Sequence, residues 1–421
     1  MRKKAIGLGL AALLIFPGCG KQGGTEKMDD PREPEKSAYT VNDVDPSLVQ
    51  ASNGFGMTLA EKLMAEHPGE NVMLSPLSLS AALALAATGA AGGTGEEMRA
   101  ALGLDGKSSD EIGAGYRVLV DLLSHSGGDG VEINVASSLW LKEGKPFLEA
   151  FVDRSRDDFG ATVRRVNFAD PQTLQAINEW TEDATGGRIK RMLPSVEAEA
   201  ALYVLNAVYF NGAWTKPFNA KATADGSFHV SDSETVPVQM MSSGGYFQYA
   251  KKDGYEAVRL PYGKREAAYM AIVLPDKGVP VSELSAKLAA DPQRLTEEYE
   301  ARQGRIEMPK LRLEYDADLE AALRDSGIKL AFEPSRSDFS AMAPEPPNLF
   351  ISRVTHRTAL SVDEEGTEAA AATALEMLAG AAPPDQPFQL TVDRPFIAAI
   401  VDRDTGCILF AGAVFDPGDD G

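Results

Sequence analysis

The chain has 421 residues, of which 44% are hydrophobic and 24% are charged, a composition typical of a soluble globular protein. Its 62 acidic residues outnumber its 41 basic ones and give a net charge of −21, so the surface repels nucleic acid and anionic lipid. The two cysteines and four scattered histidines form neither a disulfide framework nor a cluster of metal ligands. We therefore expect no metal, no cofactor and no nucleic-acid partner.

Residues 1–18 are predicted to be a secretory signal. Arg-Lys-Lys at 2–4 precedes an uncharged, mostly apolar run over 5–16, which is too short to remain as a membrane-spanning helix. Gly18 followed by Cys19 resembles the processing site of bacterial lipoproteins. We expect Cys19 to be lipidated, which would secrete the protein and anchor it at the bacterial cell envelope or surface. An ordinary signal peptide cleaved nearby is the alternative.

The rest of the chain is divided by composition. Residues 19–46 have almost no large apolar side chains and are predicted to be a flexible tether. A folded body is expected over 47–417, followed by a short tail over 418–421.

Apolar periodicity predicts the elements of the body. Helices are predicted over 53–65, 78–88, 96–102, 147–159, 173–185 and 316–326. Strands are predicted over 131–141, 163–168, 201–209, 236–241, 246–251, 256–261, 267–274, 305–313, 388–392, 396–402 and 407–414, with 349–363 extended. Because helices come mainly early and strands mainly late, the fold class is α+β rather than alternating α/β.

Three local sequence features predict further details of the structure. Gly92-Gly93 is predicted to end the second helix. The continuous apolar run over 201–209 predicts a central strand buried on both faces. Gly106-Lys107-Ser108 has the tail of a phosphate-binding loop without its upstream glycine, so a surface turn is expected.

Enzyme motifs do not stand out. The sequence contains no G-x-S-x-G, H-E-x-x-H or C-x-x-C, and nothing singles out one of the four histidines for a catalytic triad. Cys407 lies inside an apolar strand, where packing is expected rather than nucleophilic chemistry. We therefore expect that the protein is not an enzyme.

The segment 363–380 reads DEEGTEAAAATALEMLAG. By intrinsic propensity this composition favours a helix, and Pro383-Pro384 follow as helix breakers. A surface helix with a flexible linker is one interpretation.

A second interpretation rests on six segments in chain order. They are 71–78 (NVMLSPLS), 205–214 (LNAVYFNGAW) with Phe218, 308–310 (MPK), 338–340 (DFS), 363–373 (DEEGTEAAAAT) and 393–412 (DRPF to TGCILFAG). Together they resemble the serpin family over the whole body, and 363–373 resembles the hinge of an inhibitory serpin's reactive loop.

The resemblance implies a serpin fold, with helices packed around a large mixed central sheet and smaller sheets, and an exposed reactive loop. It also implies a monomeric suicide inhibitor of a serine protease. The protease cleaves the loop and is held as a covalent acyl complex while the loop enters the main sheet. A non-inhibitory serpin-fold binding protein is the alternative, and the retained alanine-rich hinge favours the inhibitor.

The resemblance also assigns site residues. The hinge comprises Glu364, Glu365, Gly366, Thr367, Glu368, Ala369, Ala370, Ala371, Ala372 and Thr373. Two groups control opening of the sheet: the shutter, with Ser75, Ser78, Asn206 and His356, and the breach, with Trp214, Lys310 and Glu364. We expect Lys310 and Glu364 to form an exposed ion pair that gates the hinge and adds little stability.

Family spacing places the reactive bond at Gly380–Ala381. The small residues around it suit a shallow protease pocket, elastase-like or subtilisin-like, while Met377 and Leu378 leave chymotrypsin-like cleavage open. No lysine or arginine occurs over 358–393, which disfavours trypsin-like targets. In the hinge, alternate positions share one face of a strand and carry only small side chains, so they can enter a packed sheet.

Overall fold

The computed structural model describes residues 37–126, 130–231, 233–344, 349–367 and 387–418. The described helices are α1 (Pro46–Glu66), α2 (Pro76–Thr88), α3 (Gly92–Ala101), α4 (Ser109–His125), α5 (Glu149–Asp157), α6 (Pro171–Ala184), α7 (Val281–Ala290) and α8 (Glu320–Asp325). Short 3-10 turns occur at Val41–Asp43, Ala220–Ala222, Pro292–Leu295 and Leu330–Phe332.

The described strands form two sheets. They are β1 (Val72–Leu74), β2 (Val131–Lys142), β3 (Thr162–Val166), β4 (Leu202–Ala213), β5 (Ala224–His229), β6 (Thr235–Lys252), β7 (Tyr255–Tyr262), β8 (Ala268–Pro275), β9 (Glu300–Pro309), β10 (Leu311–Asp318), β11 (Thr355–Val362), β12 (Gly366–Thr367), β13 (Phe388–Thr391), β14 (Phe396–Asp402) and β15 (Ile408–Val414).

The six-stranded main sheet has the order β10-β11-β12-β4-β2-β3. The second sheet has the order β1-β15-β14-β8-β7-β6-β9-β13, with β5 paired to β6. Pairing is antiparallel except between β2 and β3 and between β9 and β13. Both sheets are therefore mixed, and the α+β prediction is confirmed.

The core lies where the two sheets and the early helices meet. One large cluster of buried apolar side chains joins both sheets to α1 and α2. Helix α2 is almost completely buried, because its alanine and leucine side chains leave no polar face. A second cluster, including Trp140, Ile177 and Leu205, packs α6 against β2 and β4.

Several predicted boundaries are wrong. Helix α2 ends at Thr88, and Gly92-Gly93 begins α3 instead of ending α2. The strand predicted over 305–313 is two strands in different sheets, which separate at Lys310, directly after Pro309. The two strands predicted over 236–251 are one strand, β6.

Other differences concern β4 and the helix predicted over 316–326. The side chains of β4 are only partly buried at many positions. Among the described residues, the edge of β4 away from β2 has ladder partners only at Gly212 and Ala213. Residues 316–318 belong to β10, and α8 begins only at Glu320. Strand β5 and helices α4 and α7 were not predicted.

Helix α4 begins with a capping box. The turn expected at Gly106-Lys107-Ser108 is present, and Ser108 is the N-cap of α4. Its hydroxyl accepts a hydrogen bond from the Glu111 amide, and the Glu111 carboxylate accepts one from the Ser108 amide. This capping box satisfies two backbone donors at the helix start.

The folded body begins before residue 47. Ser37 donates a hydrogen bond to the Asp121 carboxylate through its hydroxyl, and the Ala38 amide donates to the same carboxylate. Asp45 caps α1 and pairs with Lys107 at 2.7 Å. Residues 37–46 are therefore part of the body rather than of the predicted tether. Among the described residues, no helix is long and apolar enough to cross a membrane.

Candidate functional site: a gap in the main sheet

Among the described residues, strands β11 and β4 are joined only through the two residues of β12. Thr367 pairs with Val362 of β11 and with Gly212 of β4, and Gly366 pairs with Ala213. Over the rest of their length, the described residues form no ladder between β11 and β4. In the part of the chain that the structure describes, the main sheet therefore has a gap, and the first two residues of a strand occupy one end of it.

Gly366 fits a position where no side chain can be placed. Its φ is +153°, and a Cβ atom there would lie 2.1 Å from the carbonyl oxygen of Gly212. Thr367 is 1% exposed, and its hydroxyl lies 2.6 Å from the Tyr262 hydroxyl in the second sheet. Thr367 therefore faces inward, towards the core.

Hydrogen bonds from Trp214 hold the backbone of residues 363–365, just before β12. The Trp214 indole N–H donates to the Asp363 carbonyl at 2.9 Å, and the Trp214 amide donates to the Glu365 carbonyl at 2.9 Å. The Asp363 carboxylate accepts hydrogen bonds from the amides of Glu365 and Gly366. The Trp214 ring stacks on Tyr262 with centroids 4.3 Å apart.

Glu364 is the acidic residue of the breach. Its carboxylate accepts from Lys310 Nζ at 2.8 Å and from the Thr223 hydroxyl at 2.7 Å. Burial alone would raise the pKa of this carboxyl, but the hydrogen bonds from Lys310 and Thr223 hold it below its usual value. The two residues pair; the Lys310 side chain is exposed, as expected, but Glu364 is buried at 9% exposure. Thr223 was not predicted.

The four shutter residues lie together at the start of α2. The Ser75 amide donates to His356 Nε2 at 3.0 Å, and the Ser75 hydroxyl accepts from the Ser78 amide at 3.3 Å. The Ser78 hydroxyl donates to Asn206 Oδ1 at 2.5 Å, and Asn206 Nδ2 donates to the Ser137 hydroxyl at 2.8 Å. Residues from both sides of the gap are thus hydrogen-bonded to the first turn of α2. Ser137 was not predicted.

His356 is neutral in this network. The imidazole is buried, and burial lowers its pKa to about 3. Because Nε2 accepts the Ser75 amide hydrogen, the ring proton belongs on Nδ1. Beside it, a cavity of about 110 Å³ lies between β4, β11 and α2.

The remaining predicted site residues lie outside the described residues. These are the hinge residues Glu368, Ala369, Ala370, Ala371, Ala372 and Thr373, the reactive bond at Gly380–Ala381, and Cys19. Cys407 is described: it is buried, and burial raises the pKa of its thiol. The described residues contain no cluster of three or more potential metal ligands.

Among the described residues, the main sheet thus leaves most of the space between β11 and β4 without a paired strand, and the first two residues of one lie at its end. Residues 50–417 match the family described as Serpin (serine protease inhibitor), and the chain belongs to this family. The predictions of family and fold are confirmed. Serpins are mostly protease inhibitors, and they generally target serine proteases.

Individual relatives agree over almost their whole length. Serpin-ZXA of Oryza sativa subsp. japonica is 34% identical over 382 residues, which cover 86% of this chain and 96% of the relative. The native thermophilic serpin tengpin superposes with a TM-score of 0.80 at 27% identity, covering 91% of this chain and all of tengpin. Thyroxine-binding globulin in complex with thyroxine gives a TM-score of 0.78 at 25% identity, covering 88% of this chain and all of that one.

Proposed function

We propose that this serpin inhibits a serine protease by a suicide mechanism in which its cleaved loop enters the gap between β11 and β4. The observation that carries the proposal is β12. Two residues of the hinge lie between β11 and β4 and pair with them, and beyond these residues the facing edges of the two strands have no ladder partner among the described residues. Unpaired strand edges are templates for an added strand.

The register of β12 gives the positions that an inserted loop would take. Thr367 lies opposite Val362 and Gly212, and each further step of two residues moves two residues back along both neighbours. Continued in this way, Ala369 falls between Leu360 and Phe210, Ala371 between Thr358 and Val208, and Thr373 between His356 and Asn206. Insertion as far as Thr373 would therefore separate the two sides of the shutter.

The small side chains of the hinge suit this path. Thr367 already faces the core, so by strand alternation Ala369, Ala371 and Thr373 would face it too. Small residues enter a packed interior with little steric cost, whereas a charge there would be buried without a partner. The fifteen residues from Gly366 to Gly380 would span roughly 50 Å as a strand, close to the diameter of a body of this size.

The chemical step is an acyl transfer. The protease serine Oγ attacks the Gly380 carbonyl carbon, and its proton passes through the protease's own base to the departing amine. The Gly380–Ala381 bond breaks, which leaves an ester between Gly380 and the protease serine and a free amino group on Ala381. Insertion then moves the acylated protease along the sheet before water can hydrolyse the ester.

The proposed target has a shallow pocket. Ala379, Gly380, Ala381 and Ala382 are all small, so an elastase-like or subtilisin-like protease fits best. The proposed setting is extracellular: a monomer held at the cell envelope by lipid on Cys19, with no other membrane contact. The alternative function is a non-inhibitory binding protein, as thyroxine-binding globulin binds thyroxine.

The test is to incubate the full-length chain with pancreatic elastase, subtilisin, chymotrypsin and trypsin in turn. Denaturing gels would detect a covalent complex, and mass spectrometry would locate the cut. We expect a detergent-stable complex with elastase or subtilisin and cleavage within 377–383. Cleavage of the loop with neither a complex nor a rise in thermal stability would refute inhibition of these proteases and leave the binding protein as the better hypothesis.

Two neighbouring alanines provide a matched pair of variants. Ala371→Arg puts a charge on the inward face, so the loop should still be cut but without a stable complex, because insertion would bury the charge. Ala370→Arg puts the same charge on the opposite face and should retain most of the complex. Equal loss in both variants would argue against insertion in this register.

A further inference from the structure

A second pocket lies away from the gap, on the other sheet. Its volume is about 660 Å³, within the range of small-molecule sites. The end of α1, the β5–β6 turn, the β8–α7 loop, the β13–β14 loop and the residue after β15 all contribute to its walls. None of the described hinge, shutter or breach residues lines it.

The charges that line this pocket are opposite in balance to the chain as a whole. The lining includes the cations Lys277 and Arg394, while Asp393 is the only acidic side chain among the lining residues, in a chain with a net charge of −21. Lys277 is exposed and has no ion pair or hydrogen bond among the described residues. An unpaired cation among the lining side chains favours an anionic ligand.

Arg394 is held in a fixed orientation beside it. Its Nε and Nη2 donate to the Pro275 carbonyl at 3.1 and 2.8 Å, and its Nη1 donates to Asp393 at 2.7 Å. These contacts use three of the five N–H groups of the guanidinium. Two donors therefore remain on a side chain that is still 21% exposed. The bonds from Arg394 to Pro275 connect the start of β14 to the end of β8, which gives Arg394 a structural role. Lys277 has no such role among the described residues.

Many of the other lining side chains are apolar. Met64 from α1, Val281 from the start of α7 and Phe415 after β15 are among them, together with Pro280 and Pro395. A ligand that fits this lining needs an anionic head and an apolar body. We propose that this pocket binds a small organic carboxylate, with the carboxylate at Lys277 and Arg394 and the apolar body against Met64, Val281 and Phe415.

Calorimetric titration of the full-length chain carrying Cys19→Ala, which cannot be lipidated at that residue, tests the proposal. Decanoate is the probe, decanol supplies the apolar body without the charge, and acetate supplies the charge without the body. We expect decanoate to bind saturably with a Kd below about 1 mM, and neither decanol nor acetate to bind saturably. No binding of decanoate, or equal binding of decanol, would overturn the proposal. The result does not depend on whether the protein inhibits a protease.

Variants locate the binding. Lys277→Gln should weaken decanoate binding roughly threefold to fivefold, the range of one exposed charge pair. Ser282→Asp adds a negative charge to the lining at the second position of α7, where an acid favours the helix, so it should weaken binding without unfolding the protein. Lys264→Gln removes an exposed lysine outside the pocket and should change nothing. An equal effect of Lys264→Gln would refute the assignment to this pocket.

Discussion

His356 makes the stability of this protein depend on pH in a specific direction. The imidazole has a pKa of about 3 in the fold and an ordinary pKa near 6.5 when the chain is unfolded. The folded state therefore keeps His356 neutral, and its stabilising contribution is complete above about pH 6.5. As the pH falls from about 6.5 towards about 3, the unfolded chain takes up a proton that the folded one does not, and stability is lost.

The size of the loss follows from the linkage relation. Each pH unit in this window costs about 1.4 kcal/mol, so a fall from pH 6.5 to pH 5 removes on the order of 2 kcal/mol. Full protonation of the unfolded chain by pH 3 removes on the order of 5 kcal/mol. The charged ring would also lose its role as acceptor for the Ser75 amide, which would leave a buried N–H without its partner.

The measurement is the thermal unfolding midpoint of the wild type and of His356→Gln between pH 7.5 and 5, at one fixed scan rate. Glutamine does not titrate, and its Oε1 can accept the Ser75 amide hydrogen in place of Nε2. The wild-type midpoint should fall with acid more steeply than that of His356→Gln, by several degrees at pH 5. Parallel curves would refute the reasoning, because other titrating groups act equally on both proteins.

Three further predictions concern the gap and its edges. Gly366→Ala should displace β12 and cost about 2 kcal/mol of stability, because the new Cβ atom would lie 2.1 Å from the Gly212 carbonyl oxygen. Faster amide hydrogen exchange at Thr367 would show the displacement. As a control, Gly54→Ala in α1, where a Cβ atom would have no atom within 4 Å, should stabilise the protein by up to about 1 kcal/mol. In a double-mutant cycle on thermal stability, Glu364→Gln and Lys310→Met should show a coupling energy of about 1 kcal/mol. The more exposed pair of Glu333 and Arg336 should show a coupling energy of less than about 0.5 kcal/mol. Equal coupling energies would show that burial of Glu364 adds nothing to its interaction with Lys310. Asn206→Ala should cost about 2 kcal/mol because it leaves the Ser78 and Ser137 hydroxyls without their partner, and an unchanged unfolding midpoint would show that water replaces the amide.

Periodicity predicted several strands of the second sheet closely. Strands β7, β8, β14 and β15 lie within one or two residues of their predicted bounds, because each is a short apolar run between turn residues. The helix α4 was missed even though its capping box is visible in the sequence as Ser108 followed by Glu111. Its glycines at 113 and 115 dilute the apolar period. The strand boundary at Pro309 was missed because both halves have the same alternating pattern.

The site was only partly predictable. Motif resemblance supplied Ser75, Ser78, Asn206 and His356, but their hydrogen bonds also use Ser137, which lies on β2 in a stretch without a distinguishing pattern. The same holds for Thr223, whose contact with Glu364 spans 141 residues of sequence. Contacts of this kind depend on which strands become neighbours, and periodicity within one element does not contain that information.

The hinge shows how tertiary pairing can override local propensity. The composition of 363–380 favours a helix, yet Gly366 and Thr367 are extended and paired to two strands. Trp214 holds the backbone just before them through its indole and amide N–H groups, and the hydroxyl of Thr367 finds its partner in Tyr262 of the second sheet. A single helix running from residue 363 would break each of these contacts. The start of this segment is therefore already committed to the strand conformation that the proposed insertion would extend, so the rest of the loop would add to an existing ladder rather than nucleate a new one.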